Sequence, residues 1–215
     1  MVTKSASLQT SIWQRTKNGG GTYVFDTYNA TGNQYINNSG RGTNNHIPPM
    51  QAFWVRVDNG QTSGSLTVDN TMRTHKGTSL SVTDPIFKSP AVVTQSTLRL
   101  QVSNGTNTDE AVIYSNSAAS NSFDAFDSQK MFNSSASIAE IYTVAGTEDV
   151  AINGLNTIPY DTEIPLGFTT LTAGTFSIKA SQINNFEAGT QVILKDYLNV
   201  SNPVIADLSD GSRFT

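Results

Sequence analysis

The chain has 215 residues, enough to bury a sizeable hydrophobic core without disulfides, and it contains no cysteine, which excludes thiol nucleophiles and thiolate metal sites. Only 14% of the residues are charged, the formal net charge is −4, and Asn, Thr, Ser and Gly carry most of the polar character. The 13 lysines and arginines are scattered singly, so no cluster could neutralise a row of phosphates, and we expect no nucleic-acid partner.

The sequence also bears on the membrane and on export. No apolar run approaches the roughly 20 residues that are needed to span a bilayer. The first residues, Met1-Val2-Thr3-Lys4-Ser5, lack the apolar core of a signal peptide. We therefore expect no membrane insertion, and we expect the targeting signals of an exported parent protein to lie outside this chain. A complete cytoplasmic protein is the alternative.

Alternating polar and apolar residues and β-branched runs dominate the chain, and no window of a dozen residues has a helical apolar period. Turn-forming pairs such as Asn104-Gly105 and Asn153-Gly154 separate these runs. The pattern predicts an all-β protein, an antiparallel β-sandwich of jelly-roll type, as one domain or two packed subdomains. The predicted strands are Leu8–Thr16, Thr22–Tyr28, Gln51–Val57, Gly64–Asp69, Thr97–Ser103, Ala111–Asn116, Ala139–Thr143, Asp149–Asn153, Glu163–Thr170, Gly174–Ala180, Thr190–Asp196 and Val204–Leu208.

Irregular segments suggest a division of the chain. Asn29–Pro49 is rich in Asn and Gly, and Met72–Gln95 mixes Pro, Ser and Thr. We predict an N-terminal β subdomain over residues 1–75, a connecting segment over 76–96 and a C-terminal β-sandwich over 97–215, with one continuous domain as the alternative.

A third polar stretch, Ser117–Ser137, holds three phenylalanines. The spacing of Phe123, Phe126 and Phe132 suggests one short helix packed across a sandwich end.

Two tryptophans supply the most interesting candidate binding surface. Trp13 and Arg15 lie two residues apart, as do Trp54 and Arg56, so each pair shares one face of its strand. If the two strands are neighbours, the indoles form a flat apolar platform beside guanidinium donors, which suits a sugar ring. The alternative is structural, namely cation–π stacking that stabilises the sheet.

No reactive motif stands out. His46 and His75 lack neighbours that would mark a catalytic base or a metal site, and no nucleophile elbow or zinc-protease motif occurs. The few glutamates fall near strand ends or in turns, where solvated surface is the simpler explanation. We therefore expect no enzymatic activity.

Carboxylates in two places suggest a structural Ca²⁺ site, the only cofactor that we consider. Asp109 and Glu110 are adjacent, and Asp124 and Asp127 are three residues apart. Such oxygens are the ligands that Ca²⁺ prefers, although the spacing of a dedicated calcium loop is absent.

The segment from Ile47 to Val57, with Pro48-Pro49-Met50-Gln51 before Phe53-Trp54-Val55, followed by Arg73-Thr74-His75, supports a family resemblance. It resembles the β-sandwich region near the C-terminus of Bacteroidetes secreted and surface proteins that use type IX secretion. In those proteins the region precedes the sorting domain. Further segments agree in order along nearly the whole chain, among them Leu98-Arg99-Leu100 and Val192-Ile193-Leu194-Lys195-Asp196.

The resemblance implies export, followed by release or attachment at the cell surface. It implies no reaction, because such regions accompany varied upstream domains. The sequence thus favours a non-catalytic extracellular structural or interaction module, with a role in adhesion and with neighbouring domains of the same polypeptide as partners. The alternative is a carbohydrate-binding module for a polysaccharide or surface glycan that uses Trp13, Arg15, Trp54 and Arg56.

Overall fold

In a computed structural model of the chain, residues 3–42, 46–70, 95–158, 160, 163–198, 201 and 204–209 are described. Over these residues the protein consists of β-strands, turns and loops, so the all-β prediction is confirmed. Within the same ranges, no helix has the length and apolar character that crossing a membrane requires.

The chain divides into two units, which we describe separately. The described part of the first unit is residues 3–9 and 55–70. Strands β1 (Thr3–Lys4) and β5 (Leu66–Thr67) pair antiparallel there, and Leu8 forms an isolated bridge with Val57. This grouping differs from the predicted division, because residues 10–54 belong with the C-terminal sheets. Most of the predicted connecting segment lies outside the described residues.

The strands of the second unit are β2 (Ser11–Lys17), β3 (Tyr23–Asn29), β4 (Gln34–Ile36), β6 (Thr97–Ser103), β7 (Thr108–Ser115), β8 (Ser128–Gln129), β9 (Glu140–Ala145), β10 (Glu148–Leu155), β11 (Leu166–Thr169), β12 (Ser177–Asn184), β13 (Ile193–Asp196) and β14 (Val204–Asp207). They form a seven-stranded sheet in the order β11-β9-β10-β7-β6-β12, with β8 pairing β10. A three-stranded sheet, β2-β3-β4, and a hairpin, β13-β14, complete the unit.

The large sheet is covered on both faces, which gives a sandwich-like arrangement. Alternate residues of a strand point to opposite faces, and β7 is apolar on both. Ala111 and Ile113 belong to one core, which the β13-β14 hairpin helps to cover. Val112 and Tyr114 belong to a second core, in which Ile36 of β4 packs against them.

The strand predictions agree closely with the structure, with three kinds of departure. Strand β10 runs parallel to β7, an exception to the predicted antiparallel arrangement. The segment predicted as a strand over Gln51–Val57 pairs only at isolated bridges. The short helix predicted within Ser117–Ser137 is wrong, because this stretch forms turns and the short strand β8, while Phe126 packs against the second core.

A close approach at Gly32 fixes the three-stranded sheet against the large one. Gly32 is buried, and a Cβ added there would overlap the hydroxyl group of Tyr114. That hydroxyl is not free to move, because Tyr114 is buried and donates to the carbonyl oxygen of Phe126 at 2.9 Å. A side chain at position 32 would therefore separate the two sheets locally.

We expect Gly32→Ala to lower the free energy of unfolding by about 1–3 kcal/mol, the usual cost of overpacking. Gly19→Ala is the matched control, since no atom lies within 4 Å of the position that its Cβ would take. Urea unfolding followed by tryptophan fluorescence measures both. Equal stability of the Gly32 variant and the wild type would contradict the packing described here.

Candidate functional site

The backbone brings the two tryptophans together as cross-strand neighbours. The amide of Trp13 donates to the carbonyl of Trp54 at 3.1 Å, and the amide of Trp54 donates back to Trp13 at 2.8 Å. On the other side of β2, Arg15 pairs with Phe25 of β3. The condition on which the two-tryptophan platform depended, that the two segments are neighbours, is therefore met.

An exposed aromatic and cationic surface follows from this pairing, and we call its residues Arg15, Lys17, Tyr23, Phe25 and Trp54 the Trp54 patch. The rings of Trp54 and Phe25 meet edge to face at 5.7 Å. The guanidinium of Arg15 lies 5.4 Å from the ring of Tyr23 and 5.6 Å from that of Phe25, and the ammonium of Lys17 lies 5.2 Å from Tyr23. Trp54 is 42% exposed and Tyr23 is 51% exposed. The patch therefore presents apolar ring surface flanked by cations.

Trp13 does not belong to this surface, so the predicted platform of two exposed indoles is wrong. Trp13 is completely buried, and its indole nitrogen donates to the carbonyl of Gln129 at 3.1 Å. The segment around β8 covers the first half of β2, where Ser11 bonds to Ser128, and leaves Arg15 exposed. Trp13 and Arg15, predicted to act together, are therefore separated: Trp13 lies in the core and Arg15 on the surface.

Arg56 belongs to the other unit of the chain. Its side chain is exposed, and its carbonyl accepts the amide of Gln9 at 2.9 Å. We therefore do not include Arg56 in the Trp54 patch.

The first predicted calcium pair splits between two ion pairs. Asp109 contacts the ammonium of Lys130, and both side chains are buried. Glu110, the next residue along β7, accepts from Arg99 at 2.8 Å, and the guanidinium of Arg99 lies over the ring of Tyr35 at 4.8 Å. The two carboxylates are thus engaged with different cations.

The second predicted calcium pair holds a turn. Asp124 accepts the amides of Ser120 and Phe126 at 2.6 and 2.7 Å. Asp127 accepts the amides of Asp124 and Gly154 at 2.7 and 2.8 Å. Each carboxylate thus replaces missing backbone acceptors around β8 and β10.

No group of three or more His, Asp or Glu side chains converges to hold a metal ion in the ranges that the structure describes. The calcium hypothesis therefore stays a prediction without a preorganised site among those residues. His46 lies in an exposed loop, and His75 falls outside the described residues.

A buried polar cluster around Asp109, which no sequence motif indicates, lies where β7 and β9 approach each other. Asp109 accepts the side-chain amide of Asn38 at 2.6 Å and the backbone amide of Ile141 at 2.9 Å, in addition to Lys130. Glu140, also buried, accepts the amide and the side chain of Asn133 at 2.9 Å each. Burial raises the pKa of Glu140, and the nearby charge of Lys130 opposes that rise. We call Asp109, Lys130 and Glu140 the buried triad.

The comparison with protein families decides the classification. The model of a family described as a domain of unknown function (DUF8693) matches residues 3–212. The chain belongs to this family. Neither a curated protein nor a solved structure matches it. The match to the DUF8693 family includes residues of both units and assigns no function.

The buried turn predicts an unusual pH dependence. Burial raises the pKa of the Asp127 carboxyl from 3.8 to about 7, although two backbone amides favour its ionised form. The folded state therefore binds a proton that the unfolded state releases between about pH 4 and pH 7. The contribution of Asp127 to stability is present in the acidic part of this range and is lost as the pH rises towards 7.

As the pH rises from 4 to 7, we expect the free energy of unfolding of Asp127→Asn to change in a more stabilising direction than that of the wild type, because the variant does not lose the contribution of the protonated Asp127 carboxyl. Urea titrations at several pH values measure the slope. Asp149→Asn, at an exposed position, is the control for the removal of one carboxylate elsewhere in the same unit. An unchanged slope in Asp127→Asn would show that this carboxyl does not titrate in the window.

Proposed function

We propose that this DUF8693 domain is a non-catalytic structural and interaction module of a larger secreted or cell-surface protein. Its first partners are the neighbouring domains of the same polypeptide. The low content of charged residues and the resemblance to regions that precede a type IX sorting domain support an extracellular setting. Adhesion is the role that fits such a module, because adhesion requires a surface complementary to the partner and does not require catalysis.

One observation carries this proposal, namely the contrast between the interior and the surface of the second unit. Buried carboxylates such as Asp127 and Glu140 are engaged with backbone amides or with side chains of the same unit. The rings of Trp54 and Tyr23, in contrast, are half exposed on a hydrogen-bonded sheet. The polar interior thus maintains the fold, and the outward surface is suited to contact.

The structural role is tested with the neighbouring domain of the parent polypeptide, produced with and without this chain. We expect fusion to this chain to raise the midpoint of thermal unfolding of that neighbour by at least about 2 °C, which corresponds to about 1 kcal/mol for a neighbour of about 150–250 residues. A flexible hydrophilic linker in place of this chain serves as the control. An unchanged midpoint would count against the role as a structural partner.

A carbohydrate ligand is the second candidate, and the Trp54 patch favours it. Sugar rings present apolar C–H faces and peripheral hydroxyls. The exposed indole of Trp54 and the phenol ring of Tyr23 supply apolar surface, and Arg15 supplies donors beside them. Lys17 adds a cation, and this suits an acidic polysaccharide better than a neutral one. This candidate uses Trp54 and Arg15 of the predicted set without Trp13.

If the patch binds a glycan, Trp54→Ala should weaken binding at least about tenfold, because a central aromatic residue commonly supplies about 2 kcal/mol or more and about 1.4 kcal/mol corresponds to tenfold. Binding is measured on an array of neutral and acidic polysaccharides and then by calorimetry. Tyr35→Ala is the matched control. It removes a similarly exposed ring outside the Trp54 patch, which also stacks with an arginine, Arg99. Wild-type protein that binds no glycan, or equal losses in both variants, would reject the carbohydrate candidate.

A further inference from the structure

The buried triad brings an amine, a carboxylate and a second carboxyl group together inside the large sheet. Asp109 lies near the start of β7, Lys130 directly follows β8, and Glu140 begins β9. The backbone fixes these positions, because the amide of Lys130 donates to the carbonyl of Asp149 at 2.8 Å and the amide of Ile141 donates to the carboxylate of Asp109. Three elements that are distant in sequence therefore meet at one point.

The amine and the carboxylate are in direct contact and shielded from water. The Nζ atom of Lys130 contacts Oδ2 of Asp109, and the two side chains are only 4% and 1% exposed. The strand residue paired with Asp109 is Val102, which belongs to an apolar core together with Ala111 and Ile141. An ion pair in such surroundings loses several kcal/mol of hydration for each charge. The pair therefore lies in contact with apolar neighbours and away from solvent.

The other contacts of Asp109 polarise its carboxyl group. The side-chain amide of Asn38 donates to Oδ1 at 2.6 Å, and the backbone amide of Ile141 donates to Oδ2 at 2.9 Å. Donors placed on both oxygens stabilise the negative charge that develops when a nucleophile attacks the carbon between them. They also hold the carboxyl plane fixed with respect to Lys130.

Glu140 supplies a group that can exchange protons next to this pair. Its carboxyl is buried, and the charges of both Lys130 and Asp109 act on it. Hydrogen bonds from the amide and side chain of Asn133 hold it in place. Burial raises its pKa above the usual range of a glutamate, so the carboxyl holds a proton more readily than an exposed one.

We propose that Lys130 and Asp109 form an intramolecular isopeptide bond, with Glu140 carrying the protons. Glu140 accepts a proton from the ammonium of Lys130, and the neutral Nζ attacks Cγ of Asp109. One C–O bond of the carboxyl group breaks, and its oxygen leaves as water after receiving protons through Glu140. The product is a neutral amide, the by-product is one water molecule, and no oxidant or external reagent is consumed.

The bond would close a covalent loop across the sheet. Residues 109 and 130 are separated by 21 positions, and the link would tie β7 to the segment that pairs with β10. A cross-link of this kind stabilises mainly by restricting the unfolded chain, as a disulfide does. The chain lacks cysteine, so it has no disulfide to supply such a link.

Intact mass measured under denaturing conditions tests the proposal directly. We expect wild-type protein purified in the folded state to be lighter than its sequence by one water molecule. Tryptic digestion should yield a branched peptide that joins the segments containing Asp109 and Lys130, with no cleavage after Lys130. A full sequence mass would overturn the proposal. So would a missing water that maps to a cyclised Asp210-Gly211 site or to a cyclised Asp109 with Lys130 free.

Variants separate the roles of the three residues. Lys130→Met and Asp109→Ala should have the full masses of their sequences, whereas Lys195→Met, which removes the exposed ion pair with Glu163, should keep the deficit. Glu140→Gln should leave most molecules unlinked, and complete linkage in that variant would overturn the assignment of Glu140. If the first two variants do not fold, peptide mapping of the wild type still decides whether the bond exists.

Discussion

The burial of β7 and β10 on both faces is the constraint on which the rest of the structure depends. These strands pair in parallel at the centre of the large sheet, and their side chains enter two separate cores. The three-stranded sheet helps to cover one face, where Ile36 packs, and the β13-β14 hairpin helps to cover the other, where Leu208 packs. A central sheet without a wet face needs apolar residues at consecutive positions, and the run from Ala111 to Tyr114 supplies them.

Covering both faces also explains the buried polar network. Backbone amides near the ends of β9 and β10 lie inside the protein, where water cannot reach them. Asp127 and Asp109 accept such amides from Gly154 and Ile141. The cost of burying a carboxylate is visible in the raised pKa of Asp127. The same burial brings Lys130 into contact with Asp109, so the reactive geometry arises from the requirements of the fold.

The Trp54 patch is exposed because the segment around β8 covers only the first half of β2. Ser11 and Trp13 bond to the β8 segment and are buried, whereas Arg15 and Lys17, on the same face of the strand, are exposed. The aromatic residues of β3 continue across this uncovered end. A single strand thus contributes to the core with one half and to a potential contact surface with the other.

Local patterns predicted most strands, because a strand such as Thr97–Ser103 alternates strictly between polar and apolar residues. The short polar strands β4 and β8 lacked that signal, and their pairing depends on partners elsewhere in the chain. The prediction for Trp13 was wrong for the same reason, since two residues on one strand face differ in burial only through a covering segment. The contact of Lys130 with Asp109 has no local sequence pattern, because the two residues are 21 positions apart and meet only in the folded chain.

Native-state amide hydrogen exchange, followed by mass spectrometry of peptides, tests the central claim most directly. If two layers cover the large sheet, the amides of β7 and β10 should exchange last, well after those of the β13-β14 hairpin. Exchange of β7 and β10 as fast as that of the hairpin would contradict the account, because it would show that the central strands have a face open to water.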